Sequence, residues 1–315
     1  MNTTGMNRLC RPALCLLVAA ALRAADYVWL EGEKPTSTNV EANLKGWGNT
    51  QFLSEGNWLC YMVKDADAEK AVPKDGALFT YDFEIATKGN YELWDRIGFE
   101  SIRTPFQWRL DRGEWHDVKG DELCSDLMRI EFWCEVSWLK LGEVELAPGK
   151  HVLEIRVPVT YHDDKGTKKP NSVNFTTDAF CFCLGQFRPN GKFKPDAEWK
   201  QDVDRQAEQQ VFAVELVKEP GERTVVPLAG LWQVARYDEQ VIEDRTGPIK
   251  SVPKAEECFW LGIRVPGDKT QMRPELHMCH RFLYRTRVQV PAEAQGRSFY
   301  LRFPCNSMIT TVFVN

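Results

Sequence analysis

Residues 259–315 read "FWLGIRVPGDKTQMRPELHMCHRFLYRTRVQVPAEAQGRSFYLRFPCNSMITTVFVN". Three runs in this stretch, Phe282 to Val290, Ser298 to Phe303 and Ile309 to Val314, are apolar or alternate apolar with polar, each bounded by Pro, Gly or Asn. Side chains two apart on a strand share a face, so this spacing predicts consecutive strands of an antiparallel sandwich. Upstream, "PLAGLWQVARYDE" (227–239) supplies another alternating strand, and Trp260 stands just ahead of a Pro266-Gly267 turn.

The same signals recur towards the N-terminus. Eight short runs, Tyr27 to Glu33, Trp58 to Val63, Ala77 to Ile85, Gly89 to Ile97, Pro105 to Leu110, Trp138 to Leu146, His151 to Val157 and Asp178 to Leu184, are separated by Gly, Pro and Asp clusters. Gly113, Gly120, Gly149 and Gly166 fall at the turns, and Pro148-Gly149-Lys150 makes a tight connection inside "LAPGKHVLEIRV". No long helical period intervenes, which predicts an all-β sandwich of jelly-roll type over residues 26–187. Residues 188–210 are polar, marked by Pro and Gly, and helix-favouring after Asp196, so they read as a linker. Residues 211–315 then form a second sandwich. It shows five or six strands where a jelly roll needs about eight, so it is expected to be a truncated domain with an open edge.

Composition bounds the function. With 315 residues, 43% hydrophobic and 27% charged, the chain has ordinary globular character and room for about two domains. Arg8 and Arg11, the apolar run from Ala13 to Leu22, and small Ala24 and Ala25 have the order of a secretory signal peptide cut after Ala24. That run is too short for a permanent membrane anchor. Removing Arg8, Arg11 and Arg23 takes the net charge from −5 to −8, which disfavours nucleic acid and anionic membrane as partners. Eight cysteines remain in the mature chain, a number that permits disulfides in an exported protein. Cys181 and Cys183 stand two apart on one strand face, which equally suits small buried hydrophobes. No cysteine pair has zinc-site spacing with histidines.

Five segments in order resemble the N-terminal sugar-binding domain of glycoside hydrolase family 2, the family of β-galactosidases, β-glucuronidases and β-mannosidases. They are L-x-G-x-W at Leu228, Gly230 and Trp232; W-x-x-I-x-VPG at Trp260 to Gly267; Tyr284-Arg285 running into Val290-Pro291; G-R-x-F-x-LRF at Gly296 to Phe303; and V-F-V-N at Val312 to Asn315. The resemblance implies a parent enzyme that hydrolyses O-glycosyl bonds with two glutamates of a catalytic barrel further along the polypeptide. Retaining hydrolysis needs two carboxyls roughly 5 Å apart across the scissile bond. The acidic pairs Glu256-Glu257 and Asp163-Asp164 are neighbours in sequence and unsuited to that geometry, so no catalytic residue is assigned.

The first domain resembles the β-sandwich carbohydrate-binding modules of families 6 and 35. The match lies in Glu31 and Glu33 on the opening strand, G-x-Y-x-L-W-x-R at Gly89 to Arg96, V-x-L-x-PGKH-x-L-x-I at Val144 to Ile155, and Asp178 at the closing strand. By that resemblance Glu31, Glu33 and Asp178 are candidate ligands of a structural calcium ion, a role that hard carboxylate oxygens suit. Sugar binding needs an aromatic ring and polar neighbours, and the interval from Trp115 to Trp138 offers Trp133 first, then Trp115 and Trp138, with Glu131 as acceptor. Three readings stay open: the non-catalytic front end of an exported family 2 glycosidase, a stand-alone secreted carbohydrate-binding protein, and a surface adhesion protein.

Overall fold

The computed structural model describes residues 26–45, 47–98, 104–120, 124–131, 134–216, 223–237, 252–304 and 310–314. The first unit builds strands β1 (Tyr27–Glu31), β2 (Ser37–Thr38), β3 (Leu59–Val63), β4 (Ala77–Ile85), β5 (Gly89–Gly98), β6 (Phe106–Leu110), β7 (His116–Val118), β8 (Ser125–Glu131), β9 (Cys134–Leu146), β10 (Gly149–Val157), β11 (Tyr161–Asp164), β12 (Thr167–Pro170) and β13 (Val173–Leu184), with one short helix, α1 (Asp65–Ala71). All eight expected runs are strands, and the jelly-roll expectation holds. Two antiparallel sheets face each other, one ordered β1-β13-β5-β9-β8 with β3 also on β13, the other ordered β2-β4-β10-β6-β7.

Alternation explains the packing. On β4, Ala77, Phe79, Tyr81, Phe83 and Ile85 are buried at every second position, and they meet Phe106, Trp108, Leu153 and Ile155 of their own sheet and Phe175, Phe180 and Phe182 of the other. On β13 the buried aromatics change parity, from Phe175 to Phe180 and Phe182, because a bulge at Thr177/Ala179 inserts one residue. That bulge turns Thr177 and Asp178 into the protein together. Cys181 and Cys183 lie on the opposite face of β13 from Phe180 and Phe182, in a cluster with Trp138 and Phe187, which accounts for their burial as small hydrophobes. The described cysteines are free thiols.

A turn at Asp111 and Arg112, both with positive φ, joins β6 towards β7 and is tied to β10 through His151. His151 Nδ1 lies 2.7 Å from Asp111 and Nε2 lies 2.8 Å from the Ala147 carbonyl. Burial lowers the imidazole pKa, but the Ala147 carbonyl and the Asp111 carboxylate outweigh it and the net shift is upward. A raised folded-state pKa adds stability that is complete below the unfolded value of about 6.5 and is lost as pH rises through the folded value. His151→Gln is therefore expected to flatten the fall in melting temperature on the alkaline side of about pH 6.5; an unchanged pH profile would contradict the pairing.

The second unit contains α2 (Asp202–Gln209) and strands β14 (Val211–Ala213), β15 (Gly230–Arg236), β16 (Leu261–Val265), β17 (Phe282–Arg285) and β18 (Arg287–Gln289). Its sheet is ordered β16-β15-β17, and β14 pairs with β18 in parallel. The L-x-G-x-W and W-x-x-I-x-VPG segments thus become adjacent strands, with Trp232 opposite Ile263. Three strand expectations need correcting. The run Phe282 to Val290 breaks at Thr286 into two strands on different sheets. Residues 298–303 and 310–314 form no ladder among the described residues, and Phe299, Tyr300, Leu301, Phe303, Val312, Phe313 and Val314 are exposed. An apolar pattern specifies faces, whereas a strand also requires a partner for its backbone hydrogen bonds.

The segment expected to be a linker is instead docked. Asp204 of α2 is buried, receives the Gly262 amide at 2.5 Å and pairs with buried Arg273, whose Nε donates to the Gly262 carbonyl at 2.8 Å. A Cβ on Gly262 would sit 2.2 Å from the Val203 carbonyl, so glycine is required where helix and strand touch.

Candidate functional site

The site begins with the chain between β2 and β3. Two 3-10 turns, Thr50–Phe52 and Ser54–Gly56, lay this segment over the outer face of the larger sheet. A buried ion pair fastens it there. Arg96 Nη1 stands 2.5 Å from Asp178 Oδ2 and donates to the Phe52 carbonyl at 2.9 Å, while Asp178 Oδ1 accepts the Ser54 amide at 2.9 Å. Both side chains are 1% exposed or less. Burial raises the Asp178 carboxyl to about 7, with the Arg96 guanidinium and the Ser54 amide offsetting part of the rise. Trp29 Nε1 adds a bond to Ser54 Oγ at 3.3 Å.

This fastened segment carries Trp47. Its ring lies 6.0 Å from that of buried Trp58 at 60°, and 39% of the residue remains exposed. Gly48 has φ +91°, and a Cβ there would sit 2.4 Å from Ile130 Cγ2, so glycine lets the chain turn tightly beside the indole. A groove of about 520 Å³ opens here, lined by Asn39, Glu41, Asn43, Trp47, and Tyr61 and Met62 of β3. An exposed aromatic surface flanked by amide and carboxylate groups is the arrangement that receives a pyranose: the ring takes the sugar's C–H face while polar side chains take its hydroxyls. The sequence reading missed Trp47. Its signal was an aromatic residue between two glycines, Gly46-Trp47-Gly48, in a polar connection.

Two of the residues expected to bind sugar, Trp138 and Trp115, are engaged in other packing. Trp138 is 0% exposed, packs against Cys181, Cys183 and Phe187, and donates from Nε1 to the Gly191 carbonyl at 2.8 Å; it is a core residue and offers no stacking face. Trp115 is half-buried, and its ring is already met by the guanidiniums of Arg109 at 4.2 Å and Arg156 at 4.1 Å. Trp133 lies outside the described residues. Glu131 is exposed at the end of β8, its Cβ 3.5 Å from where a Cβ on Gly48 would stand, so it lies beside the segment that carries Trp47 and also faces the second unit.

The expected calcium ligands divide. Asp178 is committed to Arg96 and Ser54. Glu31 and Glu33 are both 8% exposed, and none of their four carboxylate oxygens has a hydrogen-bond partner among the described residues. Lys194 Nζ stands 3.4 Å from Glu31 Oε1. Burial, reinforced by the Glu31 charge, holds the Glu33 carboxyl above its ordinary range. Two neighbouring buried carboxylates that share only the Lys194 ammonium are costly to keep charged, a cost that a hard divalent ion would offset. Among the described residues no three His, Cys, Asp or Glu side chains are grouped to hold a metal, so carboxylates alone do not complete such a site.

No family model matches the chain, and no curated protein matches it. Among solved structures it is similar to a Podospora anserina GH26-CBM35 β-(1,4)-mannanase, with 17% identity and a TM-score of 0.31 over 53% of this chain and 29% of that one. It is similar to the C-terminal CBM6 of LamC from Zobellia galactanivorans, with 13% identity and a TM-score of 0.28 over 50% of this chain and 98% of that one. A third likeness is to the CBM35 from Cellvibrio japonicus Abf62, with 8% identity and a TM-score of 0.29 over 52% of this chain and 98% of that one. The chain spans less than a third of the mannanase it resembles.

Proposed function

We propose that the first sandwich is a non-catalytic carbohydrate-binding module whose ligand lies in the Trp47 groove. The supporting observation is the partly exposed Trp47, held against Trp58 in a groove that Asn39, Glu41 and Asn43 also line. Passing the chain over a panel of insoluble polysaccharides tests this reading. Retention on at least one of them, reversed by the matching soluble oligosaccharide, is expected; passage through all of them would overturn it.

Calcium belongs to the same proposal as a structural ion held by Glu31 and Glu33. Bound calcium would neutralise the two buried charges and fasten the end of β1. An ion at 100 times its dissociation constant adds about 2.7 kcal/mol of stability. A chelator is thus expected to lower the melting temperature of the native chain. Glu31→Gln/Glu33→Gln should be insensitive to chelator and, in its presence, more stable than the native chain. If chelator leaves the native melt unchanged, the ion is absent.

The finer reading is that the chain is the front end of an exported, β-galactosidase-like family 2 glycoside hydrolase. The adjacency of the Trp232 and Trp260 segments on one sheet supports it, as does the leader pattern ahead of Ala24. The barrel that would hydrolyse O-glycosyl bonds would then belong to the same polypeptide. A coding frame that continues past Asn315 into a barrel, and a mature N-terminus at Ala25 in exported material, are the expected results. A stop codon after Asn315, or an uncleaved leader, would remove the parentage or the export respectively.

A further inference from the structure

The two units meet along β8. Arg236 of β15 reaches across to the Leu127 carbonyl at 3.0 Å and to Asp126 at 3.0 Å, and Asp126 also receives the Gly191 amide. Beside this clasp the units leave a cavity of about 210 Å³. Asn49 and Phe52 line it from the fastened segment, Arg129 and Glu131 from β8, and Thr270 and His277 from the second unit. Arg129 Nη1 and His277 Nε2 are 3.2 Å apart, so the wall is continuous across the junction. The cavity has less than half the volume of the Trp47 groove.

The lining defines the chemistry of the occupant. Arg129 is a donor only, Glu131 an acceptor only, and Asn49 and Thr270 are both. A charged ligand of either sign would face one like and one opposite charge, with Arg129 already engaged by the Glu131 carbonyl and His277, so it gains less than from a lining of one sign. A neutral molecule with many hydroxyls can answer donors and acceptors at once, and Phe52 offers it an apolar face. We infer that this junction is a second saccharide subsite, which takes a single neutral pyranose residue and is complete only when both units are present. The ligand class rests on the carbohydrate reading of the first sandwich; the site itself shares no residue with the Trp47 groove.

The chain has five histidines, so His277 can be followed by NMR and assigned by the loss of its signal in His277→Gln. The titration uses the full chain carrying Trp47→Ala, with methyl β-glycosides of glucose, galactose, mannose and xylose, and with methyl β-glucuronide and methyl β-glucosaminide as charged controls. At least one neutral glycoside is expected to move the His277 signals saturably, with weaker effects from the charged pair, and Thr270→Val should weaken that titration about tenfold. Unmoved His277 signals in a protein whose native form is still retained on polysaccharide would overturn the second subsite and leave the first. Shifts from the charged glycosides alone would overturn the neutral specificity. Failure of the native chain to bind any saccharide would remove both sites.

Discussion

Asp178→Ala should be the most damaging single substitution in the first sandwich. It leaves Arg96, 1% exposed, with its charge buried and unpaired, and it removes the acceptor for the Ser54 amide. Breaking a buried pair from one side costs about 3–5 kcal/mol, a large part of the 5–15 kcal/mol that holds a typical domain. For a unit of this size the melting temperature is expected to fall by roughly 10 °C or more. The cost comes from the orphaned charge rather than from the pair's net worth. The double substitution Arg96→Met/Asp178→Val should therefore lose less than Asp178→Ala alone. Thermal melts of the single and double variants check this; a double variant as unstable as the sum of the two singles would contradict it.

Trp47→Ala is expected to have the largest effect on binding. Buried aromatic anchors carry a disproportionate share of binding energy, about 2 kcal/mol or more on truncation, which corresponds to roughly thirtyfold in affinity. Because Trp47 is 39% exposed and meets the core through Trp58 and the Cys60 thiol, its loss should lower the melting temperature less than Asp178→Ala does. Trp115→Ala is the matched control: that ring is occupied by Arg109 and Arg156, so its removal should leave saccharide affinity within a factor of two. Isothermal titration with a soluble oligosaccharide separates the two. Equal losses in both variants would mean that the sugar stacks elsewhere.

The framework of the first sandwich was legible because burial there is two-sided and strict. Phe79, Tyr81 and Phe83 alternate with Thr80, Asp82 and Glu84 in sequence as they do in space. Of the strands that pattern reasoning overlooked, Ser37–Thr38, His116–Val118 and the Tyr161–Pro170 hairpin are short or exposed and bury too little to leave a period, whereas Ser125–Glu131 buries Asp126, Met128 and Ile130 at every second position and was missed in the interval between Trp115 and Trp138. In the second unit the reverse happened, since the run from Ser298 to Phe303 carries a strand's composition without a strand's partner among the described residues.

The candidate site was harder to read for a different reason. Glu31 and Glu33 could be noticed two apart, but nothing in sequence told that Asp178 would be turned to Arg96, because the bulge at Thr177/Ala179 depends on pairing with β5. Nearness to an acidic acceptor such as Glu131 likewise favoured the tryptophans at 115, 133 and 138 over Trp47. What distinguishes Trp47 is position: the segment bearing it is fastened at Phe52 and Ser54 by residues 40 or more places further along the chain. Such tertiary clasps leave no periodic trace.

The most direct test of the carbohydrate-binding reading is a crystal structure of the full chain with the oligosaccharide that elutes it from polysaccharide. The account predicts a pyranose lying flat on the exposed face of Trp47, with hydroxyls reaching Asn43 and Glu41. A sugar bound only on the outer face of the β2-β4-β10-β6-β7 sheet, with the Trp47 groove holding water, would contradict it.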